Sequence, residues 1–131
     1  MRIILDTNVI VSAILSPAGN PARILTAVLS SKIELLYNNH ILAEYITVLR
    51  QEKFRLNKEL NDYIIEYICK EGVFFFASLL KIKFDHEDDK KFYELYKSGK
   101  ADYLVTGNIK HFPKENGIVT PKTFIQKIQI E

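Results

Sequence analysis

The sequence of 131 residues contains no tryptophan, one methionine and one cysteine, and its 5 glycines and 4 prolines make up a small share of the chain. A single cysteine, Cys69, excludes a disulfide framework and any zinc site built from several cysteines. The low glycine and proline content excludes collagen-like and low-complexity chains. The apolar runs fall far short of the roughly 20 residues that cross a bilayer. Asp6 closes the first apolar run, where a signal peptide would not place an acid. We therefore expect a cytoplasmic protein with no membrane segment.

Charges of the two signs are nearly balanced, because 18 Lys and Arg residues face 16 Asp and Glu residues and leave a net charge of +2. Such a balance neither requires nor excludes a nucleic-acid partner. The sequence shows no internal repeat or linker, so its length predicts one domain over residues 1–131. A hydrophobic content of 47% suffices for a core without disulfides or a structural metal.

Short apolar runs alternate along the chain with stretches of helical periodicity. Apolar runs predict strands at residues 2–6, 33–37, 73–77, 103–105 and 118–120. Periodicity and capping signals predict helices at residues 9–15, 20–30, 40–51, 57–71, 85–98 and 121–128. The helix at 57–71 is predicted to carry one apolar stripe, formed by Leu60, Tyr63, Ile64, Tyr67 and Ile68. The strands are continuously apolar, which is typical of a parallel sheet covered by helices on both faces. We predict an α/β fold with a central parallel sheet of four to five strands.

In such sheets the functional crevice lies beyond the carboxyl ends of the strands. Asp6 ends the first predicted strand and Asn8 follows it, although Asp6 could equally cap the next helix. Thr106 and Asn108 follow the strand at 103–105 and reach the same crevice. Asp102 begins that strand, so a strand length at ~3.3 Å per residue separates it from the crevice. We interpret Asp102 as a structural cap.

Glu44 interrupts an apolar line on the helix predicted at 40–51. It lies three residues after Ile41 and four before Val48, so the three side chains share one face. A glutamate in such a line is costly unless it is paired or binds a ligand. The alternatives to a functional role are a head group that reaches water and a salt bridge to a lysine.

Four acids, Asp85, Glu87, Asp88 and Asp89, fall within five residues. Acids at a helix start suit the helix dipole, but one or two are enough for that purpose. Acids this close raise one another's pKa unless a cation lies among them. Asp89 precedes Phe92 by three residues and should point toward the packed face. We expect Asp89 to be functional, with Asp85 and Asp88 in capping or supporting roles.

Asp6, Glu44, Asp89 and Asn108 are thus expected at one crevice. Oxygen ligands of this kind suit a hard cation such as Mg²⁺ or Mn²⁺. A metal-activated water that attacks a phosphodiester would fit the arrangement. Two other residue types suggest no competing chemistry: Cys69 is expected in the core, and the spacing of His40, His86 and His111 indicates no zinc site.

Four segments in order resemble the PIN domain, over nearly the whole chain. They are L-D-T-N-V at 5–9, L-A-E-Y at 42–45, D-D-K-K-F at 88–92 and A-D-Y-L-V-T-G-N at 101–108. More narrowly, they resemble the PIN proteins of bacterial and archaeal toxin–antitoxin systems. The resemblance implies a three-layer α/β/α sandwich and a Mg²⁺- or Mn²⁺-dependent endoribonuclease, the toxin of a type II pair. It also implies an RNA substrate, a cognate antitoxin and a possible homodimer.

The resemblance assigns roles residue by residue. Asp6, Glu44 and Asp89 would be catalytic, and Asp6, Asp89 and Asn108 would hold the metal. Supporting roles fall to Asn8, Thr106, Asp85 and Asp88. The sequence departs from the family at Asn108, where many members carry aspartate, because an amide is neutral and a weaker ligand. The alternative function is therefore a non-catalytic PIN-like module that binds RNA or protein. A phosphatase that uses Asp6 as nucleophile is disfavoured, because Asn8 stands where that chemistry needs a second aspartate.

Basic residues form two groups that could neutralise RNA phosphates and make binding salt-dependent. The alternative is an ordinary solvated helix face. The two groups are Arg50, Lys53, Arg55 and Lys58, and then Lys90, Lys91, Lys97, Lys100, Lys110 and Lys114.

Overall fold

A computed structural model of the protein describes residues 1–129. The strands are β1 (Arg2–Leu5), β2 (Glu34–Tyr37), β3 (Val73–Phe74), β4 (Tyr103–Val105) and β5 (Ile118–Val119). The helices are α1 (Thr7–Leu15), α2 (Asn20–Leu29), α3 (Asn39–Leu49), α4 (Lys58–Glu71), α5 (Lys90–Ser98) and α6 (Pro121–Ile128). Short 3-10 helices occupy Glu52–Asn57, Glu87–Asp89 and Ile109–His111.

The five strands form one sheet in the order β3-β2-β1-β4-β5, and every neighbouring pair is parallel. Helices flank this sheet, so the predicted parallel α/β architecture is confirmed. β1 lies in the middle, and Leu5 pairs with Val105 on β4. Because these two residues end their strands in register, the chain segments that follow them, at Asp6 and Thr106, leave the sheet side by side.

The apolar residues of β1 are fully buried, as expected of a central strand. Ile3, Ile4 and Leu5 are each 0% exposed, and full burial of such a side chain contributes roughly 1.5–3 kcal/mol. At the opposite end of the sheet, the backbone N–H of Arg2 donates to a carboxylate oxygen of Asp102 at 2.9 Å. The structural role predicted for Asp102 is therefore confirmed.

Helix α3 begins at a side-chain cap that fixes its direction. The side chain of Asn38 accepts a hydrogen bond from the backbone N–H of Ile41 at 2.9 Å, as expected of an N-cap asparagine. The side chain of Thr120 caps α6 in the same manner, accepting from the N–H of Thr123 at 3.2 Å. The cap on α3 places Glu44 one turn further along the helix, near the carboxyl end of β1.

Helix α4 buries Ile64 and Ile68 of its predicted stripe, but the rest of its buried face differs from the prediction. Asn61 and Ile65 are buried, whereas Leu60 and Tyr63 are 42% and 52% exposed. The side-chain amide of Asn61 donates to the carbonyl oxygens of Leu49 and Phe54, which turns the helix toward the preceding 3-10 helix.

Two further expectations along this stretch are wrong. Cys69 is exposed rather than part of the core. The strand predicted at 73–77 pairs over Val73–Phe74 alone, and Phe76 is 79% exposed. This strand is at the edge of the sheet, so it has a partner on one side. Gly72 precedes it and permits close packing, because a Cβ there would lie 2.9 Å from the ring of Tyr37.

No helix within residues 1–129 is both long enough and apolar enough to cross a membrane. The longest, α4, has 14 residues.

Candidate active site

Asp6 lies at the carboxyl ends of β1 and β4, where the sequence predicts the functional crevice. Its backbone N–H donates to the carbonyl of Val105 at 2.9 Å, which continues the sheet pairing by one residue. Its carboxylate accepts hydrogen bonds from the hydroxyl of Thr106 at 2.7 Å and from the backbone N–H of Asn8. With a side chain fixed from two sides and an exposed fraction of 4%, Asp6 has little freedom to reorient.

The pKa of Asp6 is raised above its ordinary value. Burial is the largest cause, because a charged carboxylate loses hydration there. Repulsion from Asp89 and Glu44 raises the pKa further, while the hydrogen bonds from Thr106 and Asn8 lower it. Asp6 therefore interacts electrostatically with two acids from distant segments of the chain.

Glu44 faces this site from α3, with a different partner on each carboxylate oxygen. One oxygen accepts a hydrogen bond from the hydroxyl of Thr7. The other lies 2.8 Å from the ammonium nitrogen of Lys91 on α5. A salt bridge to a lysine was one of the alternatives for Glu44, and it coexists here with closeness to Asp6.

Asp89 ends the 3-10 helix before α5 and contacts a histidine. Its carboxylate oxygen lies 2.7 Å from Nδ1 of His111, and its side chain is 16% exposed. The ring of His111 stacks on the ring of His86, with centroids 3.6 Å apart and planes 13° apart. This pairing holds the segment at 109–111 against the start of α5.

A hydrogen bond connects the loop after β4 to the first turn of α1. The side-chain carbonyl of Asn8 accepts the backbone N–H of Gly107 at 3.2 Å. The hydroxyl oxygen of Thr106 accepts the N–H of Asn108 at 3.0 Å while its proton is donated to Asp6. Asn108 is exposed at the rim of the crevice, where its side-chain oxygen could reach a ligand.

The remaining acids of the cluster lie further out. Asp85 and Asp88 are both exposed, and the carbonyl of Asp88 accepts a hydrogen bond from Lys91. Within the cluster, the acid that repels Asp6 is Asp89. The electrostatics therefore favour Asp89 over Asp88 as the residue that faces the crevice.

Comparison with known proteins agrees with this geometry. The family profile of the PIN domain matches residues 2–110. The chain belongs to the PIN domain family. Its fold is similar to that of a solved complex, VapBC2 from Rickettsia felis bound to a DNA fragment from their promoter, at 20% identity and a TM-score of 0.58. That match covers 91% of this chain and 97% of the other. No curated protein matches this PIN domain in sequence.

The donor groups of this PIN domain can be tested against a divalent ion. Among residues 1–129, no group of three or more His, Cys, Asp and Glu side chains is arranged so that it could hold a metal. Glu44 and Asp89 instead contact the basic side chains of Lys91 and His111. The donors themselves fit a hard cation in their chemistry, because they are carboxylate oxygens and Asp6 is repelled by the other two acids.

Sequence reasoning missed four residues that contact the site: Thr7, Tyr45, Lys91 and His111. Thr7 and Tyr45 are chain neighbours of Asp6 and Glu44, so position along the chain could have drawn attention to them. Lys91 follows Asp89 by two residues, but its pairing with Glu44 depends on how α3 and α5 pack. The contact of His111 with Asp89 spans 22 residues, and no spacing rule indicates it.

Proposed function

We propose that this protein is a Mg²⁺- or Mn²⁺-dependent endoribonuclease that hydrolyses phosphodiester bonds in RNA. The observation that carries the proposal is the electrostatic contact of Asp6 with Glu44 and Asp89 at the carboxyl ends of β1 and β4. Membership of the PIN domain family supports it. Burying Asp6 beside two other acids is costly for folding, and such costs are typical of functional sites. A site that binds a cation would explain why the acids are kept together.

In this proposal Asp6, Asp89 and Asn108 hold the ion, and Glu44 completes the catalytic acids. When bound, the ion would neutralise charge on the phosphate and make a water a better nucleophile. The hydroxyl of Thr106 holds the carboxylate of Asp6 in one orientation.

In this proposal the supporting residues have two different roles, one in positioning and one in electrostatic attraction. The side chain of Asn8 holds the loop that carries Asn108, through its contact with Gly107. Asp85 and Asp88 add negative charge at the exposed rim, where they would help to attract a cation.

The cellular role proposed is that of the toxin in a type II toxin–antitoxin pair, with residues 1–131 forming one cytoplasmic domain. The solved neighbour of similar fold is a VapBC2 complex, and the sequence motifs resemble toxin PIN proteins. The partners proposed are an RNA substrate, a cognate antitoxin and a second copy of the chain in a homodimer.

The test is cleavage of RNA by the purified protein as Mg²⁺ or Mn²⁺ is added. We expect Asp6→Asn and Asp89→Asn to lose more than the roughly 10–100-fold that disturbing a supporting residue of a metal site costs. Asp102→Asn is the matched control, because it removes the same charge at the opposite end of the sheet and keeps an acceptor for Arg2. Undiminished cleavage by Asp6→Asn would refute the proposal.

A second candidate is a non-catalytic PIN-like module that binds RNA or a protein. Two observations favour it: the neutral Asn108 stands where many PIN proteins carry aspartate, and Lys91 and His111 already contact Glu44 and Asp89. Such a module would retain labelled RNA or a partner without cutting RNA at any metal concentration. The same metal titration therefore separates the two candidates.

A further inference from the structure

We propose that Lys91 is an internal counter-ion of the acidic centre, and that its positive charge beside Glu44 weakens the binding of a divalent cation there. This inference rests on the proposed function, since it concerns how the same site accepts its metal. In the structure, the ammonium nitrogen of Lys91 lies 2.8 Å from Oε1 of Glu44. A lysine thus supplies positive charge beside one of the acids of the proposed metal-dependent nuclease site.

The Lys91–Glu44 pair differs from the ion pairs on the outer surface. Its side chains are 21% and 28% exposed, whereas those of Lys58 and Asp62 are 75% and 45% exposed. Water screens an exposed pair until it contributes almost no free energy. A sheltered pair interacts more strongly, because the effective dielectric constant is lower. Lys91 is therefore an electrostatic partner of the acidic centre and not an ordinary surface charge.

The position of Lys91 on its helix makes its ammonium group releasable. It is the second residue of α5, and the N-terminal turn of a helix disfavours a positive charge. The local backbone thus opposes the charge, and the attraction of Glu44 and the carbonyl of Asp88 holds it in place. A lysine has a flexible stem of four carbons, so the ammonium can leave Glu44 without movement of α5.

Two cations at one acidic centre must weaken each other's binding, and such coupling is reciprocal. At this centre Asp6 is repelled by both Asp89 and Glu44. Removing the charge of Lys91 leaves that repulsion uncompensated. The metal-free protein should then become less stable, and a divalent ion should bind more tightly.

The experiment is calorimetric titration of the metal-free protein with Mn²⁺, for the wild type, Lys91→Met and Lys90→Met. Lys90 is the matched control, because it is a sheltered neighbour whose ammonium lies 3.9 Å from the exposed Glu87. We expect Lys91→Met to bind Mn²⁺ at least about fivefold more tightly than the wild type, the lower end of ordinary coupling between sites. Lys90→Met should change the dissociation constant much less.

Two further measurements test whether tighter Mn²⁺ binding comes from loss of the Lys91–Glu44 contact. Thermal unfolding should show a lower midpoint for metal-free Lys91→Met and a larger rise on adding Mn²⁺ than the wild type shows. In a Glu44→Gln background, Lys91→Met should no longer tighten Mn²⁺ binding, because the carboxylate that holds the ammonium at the acidic centre is already lost. If Lys91→Met does not fold, Lys91→Gln removes the same charge with a polar side chain of similar length.

The outcomes separate this inference from the proposed function. If the wild type binds Mn²⁺ and Lys91→Met binds it equally or more weakly, the role of Lys91 is refuted and the metal site stands. If neither the wild type nor any Lys91 variant binds Mn²⁺, both the metal site and the counter-ion are refuted.

Discussion

The hydroxyl of Tyr45 donates a hydrogen bond to the backbone carbonyl of Leu5, the residue immediately before Asp6. Tyr45 is 0% exposed. Burial raises its pKa well above the ordinary value, and the nearby charges of Asp6 and Glu44 raise it further. The phenol therefore stays protonated and remains a donor. Since Glu44 precedes Tyr45 in α3, this bond connects the helix that carries Glu44 to the strand that ends just before Asp6.

The first prediction concerns Tyr45→Phe. Loss of this hydrogen bond should lower the free energy of unfolding by about 1 kcal/mol, and urea denaturation would measure it with an unchanged m-value. Metal-dependent RNA cleavage should fall as well, because Glu44 is less firmly placed. Tyr63→Phe is the control, since Tyr63 lies on the surface at 52% exposure. Equal losses of stability in the two variants would contradict the role given to Tyr45.

The second prediction follows from the raised pKa of Asp6. An acid whose pKa is higher in the folded than in the unfolded state binds its proton more tightly when folded, so its ionisation destabilises the fold. The metal-free Asp6→Asn variant should therefore melt at a higher temperature than the wild type at pH 7. The advantage should shrink as the pH falls through the raised pKa toward the ordinary value of 3.8.

Melting curves between pH 4 and pH 8, with and without Mn²⁺, would check this prediction. Mn²⁺ should raise the melting temperature of the wild type and leave that of Asp6→Asn nearly unchanged, because the variant lacks the ligand. Asp102→Asn should show neither the gain at pH 7 nor the loss of the Mn²⁺ effect. A lower melting temperature for Asp6→Asn at pH 7 would mean that burial of its charge costs less than its hydrogen bonds contribute.

The meeting of Asp6 and Thr106 could be predicted from the sequence, and the reason is geometric. Both residues follow apolar runs, and neighbouring parallel strands end at the same edge of the sheet. The opposite placement of Asp102 followed from the same rule. These predictions needed the order of the strands and no detail of side-chain packing.

The partners of the acids could not be predicted in this way. Which lysine reaches Glu44 depends on how α3 and α5 pack, and that is decided by the whole core. The predicted stripe of α4 was wrong at Leu60 and Tyr63 for a similar reason, because the buried side chain of Asn61 donates hydrogen bonds to the preceding segment. Local periodicity carries no information about such contacts between elements.

The third prediction concerns Asn108, which is exposed next to the acidic centre. Asn108→Asp would supply a fourth acid at the position where many PIN proteins carry aspartate. We expect tighter Mn²⁺ binding and faster RNA cleavage, together with lower stability of the metal-free protein through added repulsion. Asn116→Asp makes the same change in charge on an exposed residue outside the proposed site and should have little effect. Unchanged Mn²⁺ affinity in Asn108→Asp would exclude residue 108 from the metal site.

The fourth prediction concerns Thr106, whose hydroxyl serves two partners at once. It donates to the carboxylate of Asp6 at 2.7 Å and accepts the N–H of Asn108 at 3.0 Å. Thr106→Val keeps the shape of the side chain and leaves two polar groups without this partner. The cost should be about 1–3 kcal/mol of stability, the usual range for a buried group left unsatisfied.

Loss of this hydroxyl also removes a hydrogen bond that lowers the pKa of Asp6. The pKa should rise further in Thr106→Val, so that metal binding and RNA cleavage require a higher pH than in the wild type. Thr106→Ser retains the hydroxyl and should keep the wild-type pH profile, even if the lost methyl group lowers stability. Cleavage rates measured against pH for the three proteins would decide the point. If Val and Ser variants shared one pH profile, Thr106 would serve packing alone, and the carboxylate of Asp6 would owe its ionisation to the backbone N–H of Asn8.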